Sequence, residues 1–535
     1  MNTMANLSAL LAGSICLCLV IALIKVLNEY WWTPLRIQHL MSLQGIKGSS
    51  YKFIQGNNKE TIKMKQEALS KPMATLSHDI LPRVHPQIHS RIKLYGKNYL
   101  SWVGTRAQLF ITEPDLIKEM LKSNERDFSK RTSRERKKNE DEIGRKIVGN
   151  GLVASQGQKW ARQRKLANHA FHGDSLKSMT PAMIASVEMM LERWKQHEGK
   201  EIEVFKEFRL LTSEVISRAA FGSSYLNGKK IFDMLMRLSV LTNRNMFKAR
   251  FPVISKFWRT ADLIESDKLV KGIHNSVMEV VKKREEKVAS GEANSFGTDF
   301  LGLLLNAYHD AGQKNRLSEQ DLVDECKTFY FAGQETTNSI LAWTVLLLAT
   351  HPDWQEKART EVIEVFGNQN PHSEGMGRLK IMTMIINETL RLYPPVNNLA
   401  RSVEHEVQLG KLILPADLQV IVPILALHHD PQLWGDDVNL FKPERFAEGI
   451  ANATKHNAAA FMPFGLGPRS CVGMSFAVTE TKTALSMILQ RYTISLSPTY
   501  CHAPFTLVFL QPQHGIQISS ETTSQLQDNR RFGQR

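Results

Sequence analysis

Apolar positions recur along this chain mostly at helical spacing, interrupted by a few short strand-like runs. Leu7 to Leu27 is an apolar run whose first charged side chain is Lys25. At about 1.5 Å per residue such a run crosses the roughly 30 Å hydrocarbon core of a bilayer. Tyr30, Trp31 and Trp32 follow, as an interfacial aromatic belt would. Arg36, Lys47, Lys52, Lys59, Lys63 and Lys65 come next, which puts the following domain on the cytosolic side. A basic n-region is missing and the run is long for a cleaved h-region, so residues 1–29 read as an anchor and not a signal peptide. Trp32 to Gly48 reads as a linker.

Beyond it, His85 to about Leu121 reads as helix, two strands and helix. The strands are Tyr99–Val103 and Gln108–Ile111 around Gly104, and Thr112 with Asp115 caps the second helix. Lys122 to Lys146 is dense in both charge signs and reads as a solvated face or loop. Trp160 lies in a helix ending near Phe171. Glu201 to Lys287 is dominated by long helices, broken by the apolar stretch Phe247–Trp258, either a packed loop or a second membrane contact. The longest helix starts at Arg316-Leu317-Ser318, with a Ser318/Asp321 capping box, and runs to about Thr350. A further helix stops at Tyr393-Pro394-Pro395, and a last one runs from Met474 to about Arg491. After Ser519 the chain is polar, so residues 520–535 read as a disordered tail.

Composition adds limits. The chain has 535 residues and is 42% hydrophobic, ample for a core. Its motifs spread from Trp160 to Cys471 and serve one site, so residues 30–519 read as one large catalytic domain. The five cysteines are Cys16, Cys18, Cys326, Cys471 and Cys501. They form neither a disulfide framework nor zinc spacing, which fits a reducing compartment. The net charge of +15 suits a membrane surface or an acidic protein partner. A nucleic-acid role has no zinc-finger or RNA-recognition motif behind it.

Chemistry concentrates at Phe464-Gly465-Leu466-Gly467-Pro468-Arg469-Ser470-Cys471-Val472-Gly473. Gly465 and Gly467 permit a tight course, Pro468 stiffens it, and Gly473 lets a large flat ligand approach the backbone. Cys471 falls just before a helix, where the dipole and free N–H groups favour the thiolate, and Arg469 is suited to a carboxylate. Trp160 and Arg164 are i, i+4 neighbours. Phe331-Ala332-Gly333-Gln334-Glu335-Thr336-Thr337 puts a Gly and two Thr inside the longest helix, a pattern that disfavours regular helix and predicts a kink. Glu388 and Arg391 share a helix face, with Phe441-Lys442-Pro443-Glu444-Arg445-Phe446 downstream.

Phe-x-x-Gly-x-Arg-x-Cys-x-Gly resembles the haem-binding signature of the cytochrome P450 family. The Gly333–Thr337 stretch resembles that family's oxygen-activation segment, and Glu388-x-x-Arg391 its third signature. The linker resembles that of the plant clan containing secologanin synthase and the hydroxylases that inactivate brassinosteroids and gibberellins. The resemblance implies a mainly α fold with a small β region, behind one transmembrane helix. It implies haem b with Cys471 as axial iron ligand, cradled by Phe464, Gly467 and Gly473, with Arg469, Trp160, Arg164 and Arg401 as cofactor-binding groups. Gly333 would make room for dioxygen, Thr336 would hydrogen-bond it and Glu335 would relay protons. Glu388, Arg391 and Arg445 would form a buried structural network. Arg162 and Lys165 would face a reductase, and Lys122–Lys146 would border the substrate entrance. Val396–Leu399 and a turn at Ser497–Ala503 would lie near the substrate.

The implied reaction is monooxygenation of a lipophilic small molecule such as a terpenoid, gibberellin, steroid or fatty acid. No P-loop or flavin domain is fused to the chain, so electrons would come from a separate NADPH-dependent reductase at the endoplasmic reticulum. Two alternatives are a haem-thiolate isomerase or lyase acting on hydroperoxides, and a non-catalytic haem or lipid binder. Thr336 and the intact relay segment argue against both.

Overall fold

The computed structural model describes residues 2–123, 126–130, 143–197, 199–245, 260–310, 312 and 316–522. The apolar Phe247–Trp258 stretch lies outside the described residues, as does most of the charged run before Ile143. Helices dominate, with four small sheets, the largest of six strands.

The chain begins with a helix, Asn2–Leu27, whose apolar side chains from Leu7 to Val26 lie exposed. Among the described residues this is the segment long and apolar enough to cross a membrane. Trp32–Gly48 is not an extended linker. A π-helical turn at Asn28–Trp32 leads directly into a second helix, Thr33–Leu43. Pro34, near its start, is compatible with a helix there because the first N–H groups have no intrahelical partner. Pro34, Ile37 and Met41 form an i, i+3, i+7 stripe that buries against the body. Around it Tyr51 N–H donates to Gln38 Oε1 (2.7 Å) and Tyr51 OH to the Tyr30 carbonyl (2.7 Å). Gln44 and Ile413 exchange two hydrogen bonds, of 2.9 and 2.6 Å. The anchor is thus docked onto the domain by a short stripe, a feature too brief to stand out against loop composition.

The six-stranded sheet orders Lys47–Gly48, Tyr99–Val103, Arg106–Phe110, Gln419–Pro423, Asn398–Val403 and Phe128–Ser129. Leu100 pairs with Leu109, Leu109 with Val420, and Ala400 with Ile421. Thr112 does not cap the following helix. That helix begins at Pro114, and the Thr112 hydroxyl instead donates to the Lys97 carbonyl (3.1 Å). A second sheet joins Tyr492–Leu496, Gln517–Thr522 and Glu201–Glu203, so the chain stays ordered three residues past Ser519.

The helical body is built around Glu319–Thr350. Its start carries the expected capping box: Ser318 Oγ accepts from Asp321 N–H (3.1 Å), and Asp321 Oδ2 from Ser318 N–H (3.2 Å). The helices Val204–Phe221, Lys380–Leu392 and Met474–Arg491 pack against it. Three rings lock the functional elements together. Phe171, ending the helix Gly157–Phe171, stacks on Phe329 of the long helix (5.1 Å, 8°) and meets Phe476 of the last helix edge-on (5.5 Å, 87°). Such pairs add roughly 0.5–1.5 kcal/mol each beyond their buried area.

A chain lacking residues 1–27 loses its exposed apolar helix and keeps the docked stripe. It is expected to move largely from the membrane pellet to the supernatant on ultracentrifugation, with an unchanged circular dichroism spectrum. A wholly pelleted truncated protein would show that the body itself holds the membrane.

Candidate functional site

The Cys471 loop is closed by its own backbone. Cys471 N–H donates to the Phe464 carbonyl (2.8 Å), Gly465 N–H to Met462 (2.9 Å), and Ser470 N–H to Gly467 (3.0 Å). Gly467 has φ +75°, and a Cβ there would lie 2.2 Å from the Leu121 carbonyl oxygen. Only glycine fits that approach. The helix begins at Met474 with Gly473 as its N-cap, so Cys471 stands before the helix and not in its first turn. The thiol presents accessible surface, yet protein surrounds it closely. Burial pushes its pKa up, against the opposing pull of the Gly473 N–H and the Arg164 cation. The helix start alone does not favour the thiolate here, because desolvation outweighs it.

Arg164, not Arg469, is the cation acting on Cys471. Arg164 Nη1 donates to the Ser470 carbonyl (2.6 Å) and Nε to Asn168 Oδ1 (3.0 Å). Burial lowers the pKa of this guanidinium, partly offset by Cys471. Arg469 instead donates to the carbonyls of Ser155 (2.8 Å) and Leu152 (3.4 Å) and lies over the Trp160 ring, 4.2 Å from its centroid. Arg401 is buried on the central sheet, where Nη1 donates to the Ala400 carbonyl (2.9 Å). Arg162 and Lys165 are exposed on the Trp160 helix.

The long helix supplies the opposite wall. From Leu322 to Ala349 every residue is buried except Ala332, Gly333 and Thr336. Those three lie at i, i+1 and i+4, on one face. All three keep partial exposure while the rest of the helix is packed. The helix is continuous through the segment, and Thr336 Oγ1 donates to the Ala332 carbonyl (2.7 Å). Gly333 serves a close approach, since a Cβ would come within 2.8 Å of Ile216 Cδ1 on Val204–Phe221. Glu335 points elsewhere. It is buried, paired with Arg209 (3.2 Å), and burial raises its pKa against that cation. Arg209 carries no sequence signal, because its partner is 126 residues away.

The expected turn at Ser497–Ala503 binds the second sheet: Ser497 Oγ donates to Glu201 Oε2 (2.5 Å). A small pocket is lined from the hairpin that follows, Pro504–Thr506 with Leu510–Pro512. Leu507, Val508, Phe509 and Gln511 line it with Met236, Ser239, Phe331 and Glu335.

A haem would need an accessible sulfur and free space above the loop backbone. A Cβ at Gly473 would meet nothing within 4 Å, so that backbone is open, and the thiol beside it is accessible. The residues fit the group. A family model described as Cytochrome P450 matches residues 78–519. The chain belongs to the cytochrome P450 family. It is 56% identical to "Cytochrome P450 CYP749A22" of Panax ginseng over 95% of this chain and 96% of the relative. It is 43% identical to "11-oxo-beta-amyrin 30-oxidase" of Glycyrrhiza uralensis over 92% and 94%. The fold matches the structure titled "Crystal structure of cytochrome P450DA heme domain", with TM-score 0.72, 24% identity, and 89% and 97% of the two chains covered. The protein is thus a haem-thiolate monooxygenase whose cofactor is carried on a cysteine thiolate.

In this P450 the loop is supported from behind by a buried ion pair. Arg391 Nε and Nη2 donate to Glu388 Oε2 (2.8 Å) and Oε1 (2.7 Å), both side chains being 0% exposed. Arg445 Nε approaches Glu388 Oε1 (3.4 Å), and its other nitrogens donate to the carbonyls of Trp434 (2.9 Å) and Asp437 (2.6 Å). Arg391 Nη1 donates to the His428 carbonyl (3.1 Å), and His428 Nε2 accepts the Met462 N–H (3.1 Å). The network thereby reaches the Cys471 loop. Sequence reasoning missed His428 and His429. Burial, then nearby charge, holds both near pKa 3.

Glu388→Ala would strand Arg391 at a cost of about 3–5 kcal/mol. The expected result is protein that fails to retain haem and unfolds at lower urea. An unchanged midpoint would mean the pair contributes little.

The histidines set an acid limit. Their folded-state pKa values lie below the ordinary 6.5, so the unfolded chain binds protons first. Stability is complete above about 6.5 and falls as pH drops toward 3, by up to about 1.4 kcal/mol per unit for each histidine. Urea midpoints measured across that window should decline together with loss of the His-linked fold. A flat profile between pH 6.5 and 5 would contradict it.

Proposed function

We propose that this P450 hydroxylates a lipophilic polycyclic substrate of the terpenoid or steroid type, from the cytosolic face of the endoplasmic reticulum. Electrons come from a separate NADPH-dependent flavoprotein reductase. The observation that carries the reading is the Cys471 loop, whose accessible cysteine stands beside the open backbone of Gly473, together with Thr336, partly exposed on an otherwise buried helix. The pocket wall of Met236, Phe331, Leu507, Val508 and Phe509 supports an apolar ligand. The relatives named as 11-oxo-beta-amyrin 30-oxidases, at 43% and 40% identity, support a terpenoid. The exposed apolar helix supports membrane placement.

We assign Cys471 as the residue whose thiolate would carry the haem, with Phe464, Gly467 and Gly473 shaping the cradle. Trp160, Arg164, Arg401 and Arg469 hold the cofactor's carboxylates, and Arg162 and Lys165 lie on the reductase side. When bound, the haem supplies activation of dioxygen. One oxygen atom enters a substrate C–H bond, and the other leaves as water with two electrons and two protons. The chain's own residues handle those protons. The Thr336 hydroxyl is both donor and acceptor, and its donation to Ala332 O holds it in place. Glu335, the next residue back, is the reservoir from which water beside Thr336 is recharged. The packed helix around them keeps bulk water out.

Thr336→Val keeps the shape and removes the hydroxyl. With reductase, and a substrate found by haem spectral shift in a terpenoid and steroid panel, its substrate affinity is expected to stay within about twofold. Product per NADPH should fall and hydrogen peroxide rise, by the roughly 10²–10⁴-fold range of positioned proton transfer at most. Unchanged coupling would reduce Thr336 to packing. Turnover without reductase or NADPH would favour the hydroperoxide isomerase reading.

A further inference from the structure

Unlike Ala332, Gly333 and Thr336, Glu335 is buried. Its carboxylate turns toward Val204–Phe221, where Arg209 meets it: Nε is 3.2 Å from Oε1, and Nη2 donates to Oε2 (3.5 Å). The same Nη2 donates to Gln511 Oε1 (3.4 Å). Gln511 belongs to the hairpin whose tip lines the pocket. That hairpin is itself seated on the long helix, where the Leu510 carbonyl accepts from Ser339 Oγ (2.6 Å) and Phe509 contacts Phe331 (5.2 Å). The guanidinium lies over the Phe205 ring, 4.9 Å from its centroid, which fixes its plane. Among the described residues Glu335 Oε1 has no partner in hydrogen-bond geometry, so it keeps free acceptor capacity in a buried place.

We propose that Arg209 is a positioning residue for proton delivery: its fork, shared between Glu335 and Gln511, fixes the relay carboxylate relative to the hairpin that walls the substrate pocket. Arg209 opposes the rise that burial gives the carboxyl's pKa, and Gln511 ties that hold to the hairpin lining the pocket. Arg209 is 31% exposed and Glu335 6%, so the guanidinium also bridges solvent and the buried acid. The inference rests on Glu335 being the relay acid.

The test compares Arg209→Met, Arg209→Lys, Glu335→Gln and the Met/Gln double variant as full-length, haem-loaded protein. Infrared difference spectra read the carboxyl directly, without turnover. Arg209→Met should show a new protonated-carboxyl band that disappears in the double variant. Its product per NADPH should fall several-fold, with no further fall in the double. Arg209→Lys should lose the band but recover coupling only in part, since a point charge cannot also hold Gln511. No band in Arg209→Met, additive losses in the double variant, or full recovery with lysine would each overturn the proposal. Normal coupling in Glu335→Gln would instead defeat the relay reading beneath it.

Discussion

The Glu388–Arg391 pair is the contact on which the rest of the structure depends. Two charges with no exposure are tolerable only because every donor finds an oxygen. Those oxygens belong to other segments: the His428 and Leu440 carbonyls, with Lys442 N–H returning a bond to Glu388 (3.0 Å). The pair thus gathers the segment after the central sheet and the approach to the Cys471 loop around one helix end. Neutral His428 completes the link, because its ring nitrogen must accept from Met462. A protonated ring would lose that bond and add a cation beside Arg391.

The long helix divides its labour by face. Ala332, Gly333 and Thr336 keep partial exposure, while Glu335 is buried against Arg209. Glycine at 333 lets Val204–Phe221 come close enough for Arg209 to reach that carboxylate. The small residue serves the helix contact directly and the relay through it. Phe171 then fixes this helix against the helix carrying Trp160 and the helix that follows Cys471.

The docked second helix changes how the anchor is viewed. Continuity from Asn2 through the π turn to Leu43, with Tyr51 and Gln44 tying it down, gives the exposed apolar helix a set orientation on the domain. A free linker would leave that orientation to thermal motion.

Sequence alone determined the helices at Gly157–Phe171, Glu319–Thr350, Lys380–Leu392 and Met474–Arg491, because each has a strong period and a clear stop or cap. It also determined the family, since the Cys471 loop, Thr336 segment and Glu388–Arg391 pair are local patterns. Tertiary structure decided the rest. It placed Arg164 on the Ser470 carbonyl beside Cys471, and it kept the helix continuous through the Gly333 segment against its propensity, because packing around it outweighs roughly 1 kcal/mol of glycine cost. Partners such as Arg209 and Glu335, or His428 and Met462, are brought together only by folding. A contact between distant residues leaves no periodicity in the chain, and its energy depends on burial that no local pattern reports.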